Sequence, residues 1–450
     1  MTMRRRPSPL LWRVGAALVG ALGVIAPAWC AGADEPAVPF PIPVGGADSS
    51  VGAAPPAERL VAEALADNPS LAALRERLAG AREMIAPAGA LADPMLEPMY
   101  TEAGFPGYTV GTDPMSMIGI EVRQALPYPG KRDARSRIAA AEVATREAGL
   151  EALRREISRE VRILYARLYA LDQEIANLGP GRELLDLVTA TTSARYGAGE
   201  GSQEGVIKAQ LLKSKLGERE TDLVARRRAL VAAVGGLLGR TDAFTLGRVA
   251  ALETPAFPVS DWAALAASGS AGIEARQRSI EEAERRLEAR RLDLKPDFSA
   301  AASTSYRGSL DPVVTLKFGF ELPLWRRGKQ EPLIRAAVHE VEAARRDLQT
   351  EEVATMEAVQ RLLASEDGAR MQITRYREAI LPLTAGAFEA ARSEYLAGRG
   401  DFSTLIDDLS LWLDSRTELA RREGELYSAW AELQALVSPA PDDPPGGHSS

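Results

Sequence analysis

One cysteine, Cys30, and two histidines, His339 and His448, are all that this chain offers of the side chains most used for nucleophilic and metal chemistry. Catalysis built on Cys, His or zinc has little to work with, and His339 lies among Glu and Arg where a helical residue is solvated. Aromatic residues amount to 6%, against 46% apolar and 26% charged residues rich in Ala, Leu, Glu and Arg, a balance that points to long helices. A net charge of -8 gives no reason to expect a nucleic-acid partner. Beyond the N-terminus no stretch reaches roughly eighteen consecutive apolar residues, so no membrane-spanning helix is expected in the mature chain.

Arg4, Arg5, Arg6 and Arg13 precede the apolar run Val14 to Ala26, the layout of a secretory signal peptide over residues 1–33. Ala31-Gly32-Ala33 fits a cleavage site that removes Cys30, whereas cleavage just before Cys30 would leave it as a lipidation site; Trp29 and Pro27 fit the second reading poorly. Residues 34–56 hold Pro36, Pro39, Pro41, Pro43, Pro55 and Pro56 and read as an extended lead-in.

From there the chain repeats itself at a spacing of about two hundred residues. Leu126-Pro127 and Gly130-Lys131 are echoed by Leu322-Pro323 and Gly328-Lys329. Tyr196-Gly197-Ala198-Gly199 is echoed by Tyr395-Leu396-Ala397-Gly398, with Ile207 against Ile406 and Leu237 against Leu436. The repeats are expected at 57–239 and 263–438, with a linker at 240–262 and a disordered Pro-, Asp- and Gly-rich tail at 439–450. Each reads as a short helix, two strands and a helical hairpin, the hairpins covering 131–239 and 329–438.

The strands are predicted near 94–102 and 116–124, then 297–306 and 313–322. In the second pair Phe298, Ala300, Ala302, Tyr306, Val314, Leu316, Phe318 and Phe320 alternate with Ser299, Ser303, Ser305, Thr315, Lys317 and Glu321, an apolar face opposing a polar one. In the first pair Ile118, Ile120 and Val122 oppose Glu121 and Arg123. The helix from residue 131 to 178 alone would reach about 72 Å. Gly179-Pro180-Gly181 and Pro382 are expected to interrupt the two long helices and turn both at one level. From Phe402 the spacing of Leu405, Leu409, Trp412, Leu419, Leu426, Trp430, Leu433 and Val437 is that of a coiled-coil seam.

Four strands cannot close a barrel, and an open sheet edge cannot face lipid, so several copies must share one cylinder. Two copies would fill the interior with side chains and three, supplying twelve strands, would leave a pore. With its tandem repeat, strand pairs and paired Tyr-x-x-Gly turns, the chain resembles the TolC-like outer membrane efflux protein family over residues 57–438. The stretch from Pro127 to Lys131 is similar to the strand-to-helix junction of that family's heavy-metal branch. The resemblance implies a mainly α protein whose coiled-coil helices form an α-barrel in the periplasm. Four strands per chain would join a trimeric, twelve-stranded barrel in the outer membrane of a Gram-negative cell. Its partners would be a periplasmic adaptor and an inner membrane pump of the resistance-nodulation-division type, and its function that of a passive, non-enzymatic duct without a bound cofactor.

The resemblance also assigns roles. The turns at Tyr196–Gly199 and Tyr395–Gly398 would form the periplasmic tip where the adaptor docks, although glycines there also simply end helices. Asp407, nine residues after Gly398, matches an acidic ring that constricts the pore; Thr404 stands where a second Asp is expected. Asp401, Asp408 and Glu204 would supplement the ring, or else serve the helix dipole. Independently, Met95, Met99, Met115 and Met117 all fall on odd positions, the polar face, where thioethers would suit a soft ion such as Cu(I); the alternative is gap filling at strand ends. The cargo stays open between metal ions, drugs and secreted protein. The rival to a duct is a periplasmic coiled-coil scaffold or adaptor without a pore.

Overall fold

The computed structural model describes residues 52–102, 107–199, 203–253 and 262–437. The expected signal peptide, Cys30, most of the proline-rich lead-in, part of the linker and the C-terminal tail lie outside the described residues.

Three short helices open the chain: α1 (Ala57–Asp67), α2 (Pro69–Glu83) and α3 (Ile85–Gly89). The break between α1 and α2 is local chemistry. Asn68 is extended, and its side-chain oxygen accepts from the Ser70 and Leu71 N–H groups while Pro69 takes the first helical position. Strands β1 (Met95–Thr101) and β2 (Met117–Leu126) follow, then α4 (Lys131–Gly197) and α5 (Gln203–Leu237). The second repeat brings α6 (Trp262–Gly269), α7 (Ala271–Leu292), β3 (Asp297–Arg307), β4 (Leu310–Glu321), α8 (Gln330–Arg375), a π turn (Tyr376–Ile380), α9 (Leu381–Leu396) and α10 (Phe402–Val437). The expected class, mainly helical with four strands, is the one observed.

The repeat is metrically close. Gln330 to Leu396 spans as many residues as the 67 of α4, and α10 has 36 residues against 35 in α5. The expected break at Gly179-Pro180-Gly181 does not occur: α4 runs through Pro180 as one helix about 100 Å long. Proline removes a single backbone bond there, at a cost of about 3 kcal/mol, and packing on both sides holds the helix. Gly181 is part of the reason, since a Cβ at that position would lie 3.1 Å from Leu413 Cδ1 of α10. In the second repeat the disturbance is real but takes the form of the π turn just before Pro382, where one extra residue absorbs the missing donor.

Around the middle of α4, buried residues from α1 (Leu60, Val61, Ala64, Leu65), α4 (Val161, Leu164, Leu168), α5 (Val231, Val234) and α10 (Ala420, Tyr427) form the largest core cluster. Several polar groups in and around it are paired. Arg162, buried on α4, reaches Glu58 of α1 at 2.8 Å and lies 5.4 Å over the Trp430 ring. Tyr169 donates to Glu423 of α10 at 2.5 Å, and Arg377 from the π turn reaches the same carboxylate at 2.5 Å. Burial and that anionic partner both push the Tyr169 hydroxyl pKa up. Asp172 holds Arg227 of α5 at 2.6 Å and accepts from the Val249 N–H at 2.9 Å, fixing the segment after α5.

Candidate functional site

The four strands form one antiparallel sheet in the order β1-β2-β3-β4. β2 pairs with β3 across the two repeats, Ile118 opposite Tyr306 and Leu126 opposite Phe298. β1 and β4 are therefore left as two outer edges, with Pro98 and Pro312 on them, residues a ladder interior would not tolerate.

The two faces differ sharply. On one, Leu96, Tyr100, Ile118, Ile120, Val122, Tyr306, Val314, Leu316, Phe318 and Phe320 are all exposed, up to 76% for Phe318. Apolar area of that extent is what a sheet facing hydrocarbon presents, or one that a partner covers. On the other face Glu121 is almost fully buried and accepts from Lys317 of β4 at 2.5 Å and Arg123 at 2.8 Å. Arg123 also reaches Glu97 of β1 at 3.5 Å, and Ser303, opposite Glu121 on β3, is buried. This charge network ties β1, β2 and β4 together, and sequence reasoning missed it. Alternation marks Glu121 and Lys317 as sharing a face; only the register through β3 reveals that they meet.

Met95, Met99 and Met117 lie on the polar side of the sheet without converging. Met99 lies opposite Gly119, and its Sδ is 4.0 Å from Ser305 Oγ; Met117 pairs with Thr101, one diagonal step away. Met95 pairs with Arg123 at the other end of β1, and Met115 precedes β2, exposed.

At the far end of the helices the two hairpin turns meet. Gly199 and Gly398 both take left-handed backbone, φ 80° and 74°, and terminate α4 and α9. Leu184 and Val188 of α4, Ala209 of α5, Phe388, Ala391 and Tyr395 of α9, and Leu405 and Leu409 of α10 make one buried cluster beneath them. Phe388 stacks on Trp412 at 5.2 Å. The paired tyrosines part company here. Tyr395 is buried, with its hydroxyl 3.1 Å from Thr192 Oγ1 across the turns, whereas Tyr196 is half exposed.

The acidic residues separate likewise. Asp401 precedes α10 and accepts from the Ser403 N–H at 3.1 Å and from its hydroxyl, which holds the carboxyl below its usual range. Glu204 pairs with Lys208 one turn on at 2.7 Å, and that hydrogen bond lowers its pKa. Both thus have a helix-starting role. Asp407 is exposed, Asp408 half-buried, and neither has an ion-pair partner among the described residues. Asp407 is two residues from each of the buried seam residues Leu405 and Leu409, which sets it on the opposite side of α10.

Residues 262–438 match the outer membrane efflux protein family. The matched segment runs from α6 to the end of α10 and includes β3, β4 and the second hairpin turn. No match is found among curated proteins. The fold is similar to that of the outer membrane protein VceC from Vibrio cholerae, with a TM-score of 0.73 and 18% identity over 85% of this chain and 96% of that one. The outer membrane channel CmeC from Campylobacter jejuni gives 0.72 and 13% over 85% of each. CusC, described in terms of transmembrane channel formation, gives 0.72 and 14% over 85% of this chain and 92% of its own. At such identities the likeness establishes the fold.

The Gly-Lys junction acquires a structural explanation. Gly130 takes φ 93° ahead of α4, and Lys131, buried, reaches Asp297 at the start of β3 at 2.9 Å and donates to the Lys295 carbonyl at 3.0 Å. Asp297 also accepts from the Tyr128 N–H at 2.8 Å. The counterpart of Lys131, Lys329, is exposed and makes no such bridge among the described residues. Lys131→Met is therefore expected to destabilise the strand-helix junction by about 2 kcal/mol, read as a lower thermal transition of the solubilised protein. Unchanged stability would return the junction to a role in cargo.

Proposed function

We propose that the chain is one protomer of a passive outer membrane duct of a tripartite export system. The observation that carries this is the sheet: two edges without a partner strand among the described residues, one exposed apolar face and one polar face with a buried charge network. Three copies, joined edge to edge, satisfy every backbone group, turn the apolar face to lipid and enclose the polar face around a water-filled lumen. The family match and the outer membrane channels of like fold support the same reading. The helical part then extends the lumen through the periplasm, and the turns at Tyr196–Gly199 and Tyr395–Gly398 meet the adaptor, with a pump of the resistance-nodulation-division type supplying energy. Exposed Tyr196 is the better docking residue of the pair, because Tyr395 is committed to internal packing. A periplasmic scaffold accounts for the helices but leaves ten exposed apolar side chains of the sheet unexplained.

Planar-bilayer recording tests the duct. Purified protein should produce discrete cation-preferring conductance steps, and protein that binds bilayers without conducting would sink the proposal. Asp407→Asn is expected to lower the cation-to-anion permeability ratio severalfold, since threefold symmetry sets three carboxylates at one constriction. Asp401→Asn should leave the ratio unchanged and weaken only the start of α10. The cargo stays open between metal ions, drugs and secreted protein, and sensitivity of a deletion strain to a panel of metals and antibiotics decides among them.

A further inference from the structure

Where the sheet meets the helices, the apolar face ends in a run of exposed cations. The exposed series Val314, Leu316, Phe318, Phe320 continues past the last strand residue into Leu322, Leu324 and Trp325, the latter two about three-quarters exposed. Arg326, Arg327 and Lys329 follow at once, all exposed and none with a carboxylate partner among the described residues. Only Arg326 is engaged, donating to the Leu294 carbonyl at 3.4 Å. Lys295, 6.0 Å over the Tyr128 ring, adds a further cation beside a row of rings, Tyr128 stacked on Phe298 at 6.4 Å and Phe298 edge-on to Phe320 at 5.7 Å. Of the nearest acids, Glu321 belongs to the polar face and Glu331 pairs with Arg335 at 4.0 Å.

At the opposite end of the strands Tyr100, Tyr108 and Tyr306 are exposed, Tyr100 and Tyr108 with ring centroids 5.9 Å apart. From Phe298 to Tyr306 is about 27 Å along β3 at about 3.4 Å per residue, on the scale of the ~25 Å apolar band of a membrane barrel. The loop-end girdle carries no comparable run of cations; the helix-end girdle does. Resting on the membrane reading above, we infer that Arg326, Arg327 and Lys329 form a binding site for anionic phospholipid headgroups of the leaflet nearest the helices, with Trp325 seated at its interface. Apolar side chains that end abruptly in unpaired cations match a lipid whose tails and phosphate are stacked in that order. A zwitterionic headgroup brings its own ammonium charge beside its phosphate and compensates those cations less well than an anionic one.

Trp325 supplies the readout. The full-length protein is reconstituted with brominated phosphatidylglycerol or brominated phosphatidylcholine, and quenching of tryptophan fluorescence gives the relative affinity, with Trp325→Phe identifying the Trp325 signal. About fivefold preference per cation is expected for the anionic lipid, falling to near unity in Arg326→Gln/Arg327→Gln/Lys329→Gln. The preference should survive in Arg326→Lys/Arg327→Lys, which keeps the charges and guards against a folding artefact. Equal quenching by both lipids in the parent protein, or an unchanged preference in the Gln variant, overturns the headgroup site and leaves the membrane reading standing. Quenching by neither lipid overturns both.

Discussion

Leu316→Lys is expected to abolish assembly in the membrane, while Thr315→Lys, one residue away, is tolerated. Leu316 is 68% exposed in the middle of β4, on the face it shares with Val314, Phe318, Ile120 and Val122. A lysine on the lipid side of a barrel costs about 2–4 kcal/mol near the midplane. At about 1.4 kcal/mol per factor of ten this is about a 30-fold loss or more of inserted protein per chain, and a trimer incurs it three times. Thr315 belongs to the polar face with Lys317 and lies opposite Ser303, where an ammonium group meets water and the Glu121 carboxylate. The amount of each variant in the outer membrane fraction checks this. Equal insertion of the two would mean that the apolar face meets something other than lipid.

The second large effect is expected in the helical core. Asp172 is 4% exposed and holds both the Arg227 guanidinium and the Val249 N–H. Arg227 also donates to the Leu246 and Gly247 carbonyls at 3.1 and 2.6 Å, so this ion pair holds the stretch from Leu246 to Val249 at three points. Asp172→Ala leaves a mostly buried cation and a buried amide without their partner, a loss of about 3–5 kcal/mol. The expected result is a lower thermal transition and early proteolysis between residues 246 and 249. Asp172→Ala/Arg227→Met should recover much of the loss, because removing both charges is less costly than stranding one. A single variant within about 1 kcal/mol of the parent would show that the segment is held by apolar packing alone.

Much of this architecture is legible in the sequence. Period-two alternation locates the apolar face of β3 and β4 because each strand contributes its own pattern, and the repeated Tyr-x-x-Gly locates both hairpin turns because a left-handed residue there favours glycine. Pro180 predicts a break, as a proline does in an exposed helix, but here Gly181 admits Leu413 so closely that packing outweighs one lost hydrogen bond. The Glu121 network was invisible, since which charges meet depends on the β2–β3 register between segments far apart in the chain. Tyr196 and Tyr395 looked equivalent in sequence, yet Thr192 makes a partner for one of them alone. Asp401 and Glu204, read as supplements to the ring at Asp407 or else as helix-dipole residues, have local partners in Ser403 and Lys208 that no sequence pattern singles out.

The central claim is that β1 of one copy completes the sheet by pairing with β4 of another. Native mass spectrometry of the protein released from detergent tests it most directly. The account predicts three chains per particle and loss of the sheet when detergent is withheld. A single folded chain, monodisperse in buffer without detergent and with its sheet intact, would contradict it.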